Sequence, residues 1–112
     1  MKKVQAIIRP DFLEDLEERI SESDIGGMTV SAVHGCGKQN GWKEYYRGTE
    51  IAMNMQPKLC CEFVVEDSLV EEAIALIVEV CRTGEVGDGK IFVTPVEQVV
   101  RIRTGERDSA AL

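Results

Sequence analysis

The strongest constraint on the fold of this chain is a pattern that occurs twice: an apolar strand, an acidic capping residue and an amphipathic helix. In the first copy, residues 4–9 (VQAIIR) form the strand, and Pro10 interrupts regular pairing. Asp11 is then placed to cap a helix, with Glu14 three residues further on. The apolar stripe predicted for this helix consists of Phe12, Leu13, Leu16 and Ile20.

The second copy follows the same order. Residues 59–65 (LCCEFVV) form a strand, and Asp67 or Ser68 caps a helix, with Glu71 completing the S-x-x-E pattern. Its apolar positions are Val70, Ala73, Ile74, Ile77 and Val80. Each helix leads through glycines into a further strand, 28–34 (MTVSAVH) and 90–96. Two such units in tandem predict an α+β fold of the ferredoxin-like type, β-α-β-β-α-β, with both helices on one face of the sheet.

The predicted strands carry apolar residues on both of their faces. Val30 and Ala32 point to one side of the second strand and Val33 to the other, and the third strand alternates in the same way. A chain of 112 residues fits one domain, since domains cluster near ~100–150 residues. A domain this small buries little surface, so we expect the uncovered sheet face to be buried between subunits of a homo-oligomer.

Charge and cysteine usage exclude several classes of protein. The formal charge of −7 argues against nucleic-acid binding, because phosphate neutralisation needs a basic face. Seven acidic residues between positions 11 and 24 are read as a solvated helix face. The four cysteines, at 36, 60, 61 and 81, lack the spacing of a zinc or iron–sulfur site. With no signal peptide and no run of 18 apolar residues, we expect a cytoplasmic protein without a membrane segment.

A long connection separates the second and third predicted strands. About 20 residues, 36–56, stand where ferredoxin-like folds can use a tight hairpin, and long connections in compact domains are usually functional or disordered. The stretch EYYRGTEIA (44–52) in its middle looks like loop, yet it concentrates Tyr45, Tyr46 and Arg47 beside Trp42. Interfaces use these residue types, so the stretch is interpreted as the tip of a partner-binding loop.

The segment GEVGDGK (84–90) has the glycine spacing of a P-loop, but Ile91 stands where Mg²⁺ binding requires Ser or Thr. It also follows a helix and precedes a strand, the reverse of a P-loop, so a P-loop NTPase is rejected. Two interpretations remain open: a flexible turn, or an anion cradle in which backbone N–H groups and Lys90 face a phosphate.

Two further segments are suited to anions. HGCGKQNG (34–41) carries Lys38 and Gln39 between glycines, and Lys58 begins the strand on the far side of the long connection. In RIRTGE (101–106), Arg101 and Arg103 lie on one side if the chain is extended, a spacing that suits phosphate oxygens; a solvated edge is the alternative. Three such segments in one small acidic protein favour a polyphosphate ligand.

Catalytic groups are sparse. His34 is read as a packed or surface histidine, and Glu62 as a surface acid or the partner of a buried cation. No nucleophile–base pair and no carboxylate pair is evident. A nucleotide hydrolase or transferase that uses the glycine-rich segments is the alternative function, and electron transfer is disfavoured by the cysteine spacing.

These motifs together resemble the PII nitrogen-regulatory signal-transduction proteins, nearly end to end. The similarity rests on KKVQAIIRP (2–10), GGMTVS (26–31), G-x-G-K-Q (35–39), YRG (46–48) and, as the most specific part, TGEVGDGKIFV (83–93) with RIRTGE. It implies a non-catalytic homotrimeric sensor with ATP or ADP bound between subunits. It also implies that 2-oxoglutarate binds with Mg²⁺·ATP at the base of a long T-loop, here residues 36–56, which docks on target proteins such as an ammonium transporter or a metabolic enzyme. Residues 101–112 form a C-terminal tail.

The resemblance also implies roles for individual residues. Gly87, Asp88, Gly89 and Lys90 would hold phosphates, with Arg101 and Arg103 reaching in from the neighbouring subunit. Gly35, Gly37 and Lys38 would support the phosphates, and Thr29, Glu62 and Val64 would surround the base and ribose. Gln39 would complete the Mg²⁺ shell, Lys58 would pair with a carboxylate of 2-oxoglutarate, and backbone N–H groups of residues 37–41 (Gly37, Gln39, Asn40 and Gly41 among them) would complete that site.

The sequence departs from the family pattern at several of these positions. Lys38 replaces an arginine, Asn40 a lysine, and Trp42 a polar residue, while Glu85 brings a negative charge to the phosphate loop. Ile51 stands where many members carry the tyrosine that is uridylylated, so modification at that position is excluded. Tyr45, Tyr46 and Arg47 remain as the partner-binding residues of the loop, and Thr49 stands where some members carry a phosphorylated serine.

Overall fold

A computed structural model describes residues 1–36, 44–46, 49–51 and 55–112. Eight regular elements follow one another in the order expected from the repeated pattern, with one addition in the long connection. They are β1 (Lys2–Ile8), α1 (Leu13–Ser21), β2 (Thr29–Gly35), β3 (Glu44–Tyr46), β4 (Thr49–Ile51), β5 (Gln56–Val65), α2 (Val70–Cys81) and β6 (Lys90–Pro95).

Four of these strands form an antiparallel sheet in the order β2-β5-β1-β6. The two halves therefore interlock, because β1 from the first half lies between β5 and β6 from the second. This arrangement confirms the predicted ferredoxin-like α+β architecture.

Both helices cover the same face of the sheet. Val4, Ala6 and Ile8 of β1 are fully buried there, in one cluster with Leu16 of α1 and Ile77 of α2. The predicted stripe of α1 is confirmed, and the acidic residues of that helix are exposed. In α2 the stripe also includes Leu76 and Cys81, which are buried alongside Ala73 and Ile77. Alternation along β1 decides the packing, since every second side chain enters this core.

The opposite face of the sheet carries no helix in the described part of the chain. Cross-strand pairing places Ile7 beside Cys60, and Gln5 beside both Glu62 and Phe92, on this face. The ring of Phe92 is 47% exposed. A half-exposed aromatic residue in the middle of an edge strand marks a surface suited to burial by another chain.

The helix starts differ from the predicted capping. Pro10–Phe12 and Asp67–Leu69 form 3₁₀ turns that lead into α1 and α2, and neither helix has a side-chain hydrogen bond at its N-cap. The predicted caps were wrong because Asp11 and Asp67 lie inside the 3₁₀ turns rather than before them. The carboxylate of Asp67 instead accepts a hydrogen bond of 2.9 Å from the amino group of Met1.

The long connection contains regular structure that the sequence did not predict. The stretch read as loop forms a two-stranded antiparallel ladder in which Glu44 pairs with Ile51 and Tyr46 with Thr49. Aromatic residues before the pair 47–48 and β-branched residues after it, with a glycine in that pair, are the signal that could have indicated a hairpin.

Candidate functional site

The segment between α2 and β6 is shaped by three glycines with positive φ: Gly84 (+89°), Gly87 (+104°) and Gly89 (+94°). We call residues 83–89 the glycine loop. Gly89 is constrained twice, because a Cβ atom on it would lie 1.7 Å from the carbonyl oxygen of Ile7. A side chain there would clash with the backbone of β1, so glycine is what allows the loop to lie directly against the end of the sheet.

The carboxylate of Asp88 closes the glycine loop from within. It accepts hydrogen bonds from the backbone N–H of Thr83 (2.9 Å), from that of Gly84 (2.8 Å) and from the Thr83 hydroxyl (2.5 Å). These hydrogen bonds, that of the Thr83 hydroxyl first, lower the pKa of Asp88 to about 2, against the opposing effect of partial burial. The Asp88 side chain therefore stabilises the loop, and a phosphate ligand would be contacted by the backbone of Asp88 and not by its carboxylate.

The centre of the glycine loop is a turn at residues 86–87, which directs the Asp88 N–H back towards Glu85. Among the described residues, the backbone N–H groups of Val86 and Gly87 donate to no acceptor. Consecutive amides of this kind form an anion-binding concavity, because each carries a partial positive charge. This geometry favours the anion cradle over the flexible turn.

Two basic side chains from the end of the sheet hold the glycine loop by its carbonyl groups. Arg9, directly after β1, donates to the carbonyl oxygen of Val86 (2.9 Å) and lies 3.4 Å from the Asp88 carboxylate. Lys58 of β5 donates from its ammonium group to the carbonyl oxygen of Gly87 (2.6 Å). The sequence analysis missed Arg9. Its position at the end of a strand, directly before a proline, was the available signal.

Several predicted site residues meet at this end of the sheet. A Cβ atom on Gly35, at the end of β2, would lie 3.8 Å from the Lys58 side chain, so the two strands bring these residues together. Lys90 begins β6 opposite Ile7. The residues brought together are Gly35, Lys58, Gly87, Asp88, Gly89 and Lys90.

A cleft of about 350 Å³ lies behind the glycine loop, between α2 and the strands β1 and β6. Its wall is apolar, with Ile77 and Ile91 among the lining residues, and its polar lining comes from Arg82, Asp88 and Lys90. Two cations at the rim of an apolar cleft add to the positive character of this end of the molecule.

A second group of predicted site residues lies on the sheet face that no helix covers. Thr29 of β2 pairs across the sheet with Glu62 of β5, two residues before Val64 on the same face. Glu62 accepts a hydrogen bond of 2.7 Å from Gln5 and lies 3.4 Å from the Lys3 ammonium. Partial burial opposes its ionisation, but the hydrogen bonds from Lys3, Cys60 and Gln5 together lower the pKa of Glu62. The side chain is thus a paired carboxylate able to accept hydroxyl or amino groups.

The two arginines near the C-terminus are not arranged as expected. Residues 102–104 form a turn closed by a hydrogen bond of 2.7 Å from the Gly105 N–H to the Arg101 carbonyl oxygen, so the extended spacing inferred from RIRTGE was wrong. Arg101 contacts Glu106 and the carbonyl groups of Ala111 and Leu112, and Arg103 is exposed. Neither hydrogen-bonds the glycine loop of its own chain.

The remaining predicted residues belong to the long connection between β2 and β5. Tyr45, Tyr46 and Ile51 belong to the β3–β4 ladder by their backbones. The other predicted site residues lie outside the described residues. These are Gly37, Lys38, Gln39, Asn40, Gly41 and Arg47.

The described part of the chain offers neither a cluster of metal ligands nor a membrane-spanning helix. There, His, Cys, Asp and Glu side chains form no group of three that could hold a metal ion. His34, read as packed or at the surface, is exposed on β2. Among the same residues, neither helix has the length and apolarity needed to cross a membrane.

The chain is similar to known proteins along nearly its whole length. The family model described as "Nitrogen regulatory protein P-II" matches residues 1–106. Proteins named nitrogen regulatory protein P-II from Azospirillum brasilense and Microchaete diplosiphon are each 52% identical over 112 residues, and P-II 1 from Escherichia coli K12 is 48% identical; each match covers 100% of both chains.

These matches define a regulatory protein of nitrogen metabolism, and not an enzyme. The chain belongs to the P-II family. The resemblance read from the sequence motifs is thereby confirmed, and the hydrolase or transferase alternative has no support.

Proposed function

We propose that this protein senses ATP or ADP together with 2-oxoglutarate, and transmits the result to a target protein through its T-loop. It would thereby adjust nitrogen metabolism, or carbon metabolism linked to it, in the cytoplasm. The observation that carries the proposal is the glycine loop, where, within the described part of the chain, the amides of Val86 and Gly87 donate to no acceptor and lie beside Lys58 and Lys90. Anions such as phosphates fit this arrangement of N–H groups and cations.

The nucleotide phosphates would bind at the backbone of Gly87, Asp88 and Gly89, with Lys90 adding charge. Adenine and ribose would extend along the sheet face that carries Thr29, Glu62 and Val64, where the paired Glu62 carboxylate offers an acceptor to sugar or base. Gly35, Gly37 and Lys38 would support the phosphates from the base of the T-loop.

A homotrimer would complete the site. The uncovered sheet face with its exposed Phe92 supports association, since apolar surface of this kind is stabilised when another chain covers it. Arg103 is exposed and available to a neighbouring subunit, whereas Arg101 would have to exchange its contacts with Glu106 and the C-terminal carbonyl groups for the phosphates. The nucleotide would then lie between subunits, so that binding also reports on assembly.

The 2-oxoglutarate site would lie next to the phosphates. Lys58 would pair with one carboxylate of the acid, Gln39 would join the Mg²⁺ shell, and backbone N–H groups from 37 to 41, including those of Asn40 and Gly41, would hold the rest. Because Lys58 already bonds the glycine loop, the two ligands would share one cation. Binding at one site would therefore change binding at the other.

The output would be the T-loop. Tyr45, Tyr46 and Arg47 would be buried by the partner, for which the cytoplasmic side of an ammonium transporter is the leading candidate. Ile51 offers no hydroxyl for nucleotidylation, so ligands alone would set the state of the loop at that position. Ligands that favour one loop conformation would shift its population.

Calorimetry with the assembled protein tests the proposal. ATP, Mg²⁺ and 2-oxoglutarate are added in different orders; we expect ATP to bind alone and 2-oxoglutarate to bind after Mg²⁺·ATP. Lys90→Ala should weaken ATP binding, while Lys2→Ala, which alters a lysine at the other end of the sheet, should not. If neither ATP nor ADP binds the folded protein, the proposal is wrong.

The proposed target contact has its own test. An ammonium transporter in detergent is used to capture wild-type protein and the Arg47→Ala variant, with and without ligands. Capture of the variant as efficient as that of wild type would remove Arg47 from the mechanism without touching the proposed nucleotide site.

A further inference from the structure

Thr83, which has no predicted role in ligand binding, makes three hydrogen bonds within the glycine loop. Its hydroxyl donates to Asp88 and accepts a hydrogen bond of 3.2 Å from the backbone N–H of Glu85, and its own N–H donates to Asp88. One residue thus ties the start of the loop to its end and to its middle.

The position of Thr83 separates this role from a helix cap. Helix α2 ends at Cys81, and the N–H of Arg82 still bonds back to the carbonyl oxygen of Val78. The next N–H, that of Thr83, turns to the Asp88 carboxylate instead. The contacts of Thr83 therefore stabilise the loop and not the end of the helix.

We propose that Thr83 is a positioning residue for nucleotide phosphates: its hydroxyl holds the Asp88 carboxylate within the glycine loop and so leaves the amides of Val86 and Gly87 available to a phosphate. This inference rests on the proposed nucleotide-binding function, and it assigns Thr83 no contact with the ligand.

Electrostatics explain why such a lock is needed. Asp88 lies in the middle of a loop proposed to receive phosphates, and a free carboxylate there would repel them. Hydrogen bonds from Thr83 and Gly84, together with Arg9 at 3.4 Å, satisfy the charge within the loop. The low pKa of Asp88 is consistent with this, since the Thr83 hydroxyl is its first cause.

The Arg9 guanidinium contacts the glycine loop from the end of β1. A Cβ atom on Gly87 would lie 3.1 Å from the Arg9 guanidinium, so the bare glycine lets that group lie close to the loop backbone. Arg9, which follows β1, bonds the carbonyl oxygen of Val86 and contacts the Asp88 carboxylate. The Thr83 hydroxyl bonds the same carboxylate from within the loop. Loss of the Thr83 hydroxyl removes one donor to the Asp88 carboxylate and the acceptor of the Glu85 N–H. The carboxylate is then held by two backbone N–H groups and by Arg9 alone, so its position in the loop is less tightly fixed.

The test compares two substitutions at one position. Thr83→Val keeps the shape and removes the hydroxyl; Thr83→Ser keeps the hydroxyl. Ser21→Ala serves as a matched control, because it removes an exposed hydroxyl that bonds the backbone of α1, in a different element. Each protein is assayed for ATP and ADP affinity by calorimetry, for thermal stability, and for amide hydrogen exchange at Gly84 and Glu85 without ligand.

We expect Thr83→Val to weaken ATP and ADP binding about tenfold, which is about 1.4 kcal/mol. Thermal stability should fall as well, because the hydrogen bond from the hydroxyl to the Asp88 carboxylate also stabilises the folded loop. Exchange at Gly84 and Glu85 should accelerate in the unliganded variant, a change that a role confined to stability would not produce. Thr83→Ser and Ser21→Ala should bind within about twofold of wild type.

Two results would overturn the inference while the proposed function stands: wild-type affinity in Thr83→Val, or an equal loss in Thr83→Val and Thr83→Ser, which would exclude the hydroxyl. A wild-type protein that binds no nucleotide would instead refute the proposed function, and the positioning role with it. The wild-type titration therefore separates the two failures.

Discussion

The Lys58 ammonium lies 2.6 Å from the carbonyl oxygen of Gly87, so the beginning of β5 is bonded directly to the glycine loop that precedes β6. The ammonium group has three donors, and a carboxylate ligand can take another of them. A single side chain is thus placed to contact an organic acid and, at the same time, to support the backbone proposed to bind phosphates.

This relationship predicts that Lys58→Met weakens ATP binding even when no 2-oxoglutarate is present. We expect a loss of about tenfold, because a charged hydrogen bond to the loop disappears together with a nearby cation. Calorimetry with ATP alone measures it, and Lys2→Met is the control for removing one positive charge. Unchanged ATP affinity in Lys58→Met would show that the bond to Gly87 has no part in binding.

A second prediction concerns the docking of the glycine loop on the sheet. Gly89→Ala should destabilise the fold by several times more than Gly84→Ala. Both have positive φ, which costs about 1–3 kcal/mol for a residue with a side chain. At Gly89 the Cβ atom would also meet the Ile7 carbonyl oxygen at 1.7 Å, whereas nothing lies within 4 Å of a Cβ atom on Gly84. Urea unfolding of both variants checks it, and equal effects would contradict the close approach.

The pH dependence of stability should carry a contribution from Asp88. Its pKa in the folded protein is about 2, below the ordinary value of 3.8. A depressed pKa stabilises the fold fully above the ordinary value, and this stabilisation is lost as pH falls from about 4 to about 2.

Carboxyl chemical shifts followed by NMR should therefore show Asp88 titrating near the lower limit of this range. The Asp88→Asn variant should lack that part of the loss of urea stability on acidification. An Asp88 resonance that titrates at its ordinary value would mean that the bonds to Thr83 and Gly84 do not persist in solution.

The thiols should differ sharply in reactivity. Burial, first among the causes, raises the pKa of both Cys61 and Cys81 to about 11, and both lie in the core, whereas Cys36 is exposed. Since the thiolate is the reactive form, iodoacetamide at neutral pH should modify Cys36 long before Cys61 or Cys81. Peptide mass spectrometry over time measures this order in the folded protein, with urea-unfolded protein as the control. Equal rates at Cys36 and Cys61 under native conditions would contradict the burial of the latter.

The sequence predicted the elements better than their ends. Periodicity identified the core of α1, because Leu16 and Ile20 can be buried only if the intervening acids face water. The capping patterns at Asp11 and Asp67 misled, because a capping motif describes local preference, and here a 3₁₀ turn places those residues within the first turn. The arginine pair at 101 and 103 misled for a similar reason, since the inference assumed an extended chain where Gly105 permits a turn.

What the sequence by itself determined is therefore the order of strands and helices, the buried face of each, the glycine-rich composition of the loop at 84–90 and membership of the P-II family. These follow from residue types and spacings that act over a few positions. Only the tertiary structure decided that Arg9 reaches Asp88 from 79 residues away, and that Lys58 bonds Gly87. Those contacts depend on the register of β1 between β5 and β6, which brings distant strand ends to one edge, and local patterns carry no information about that register.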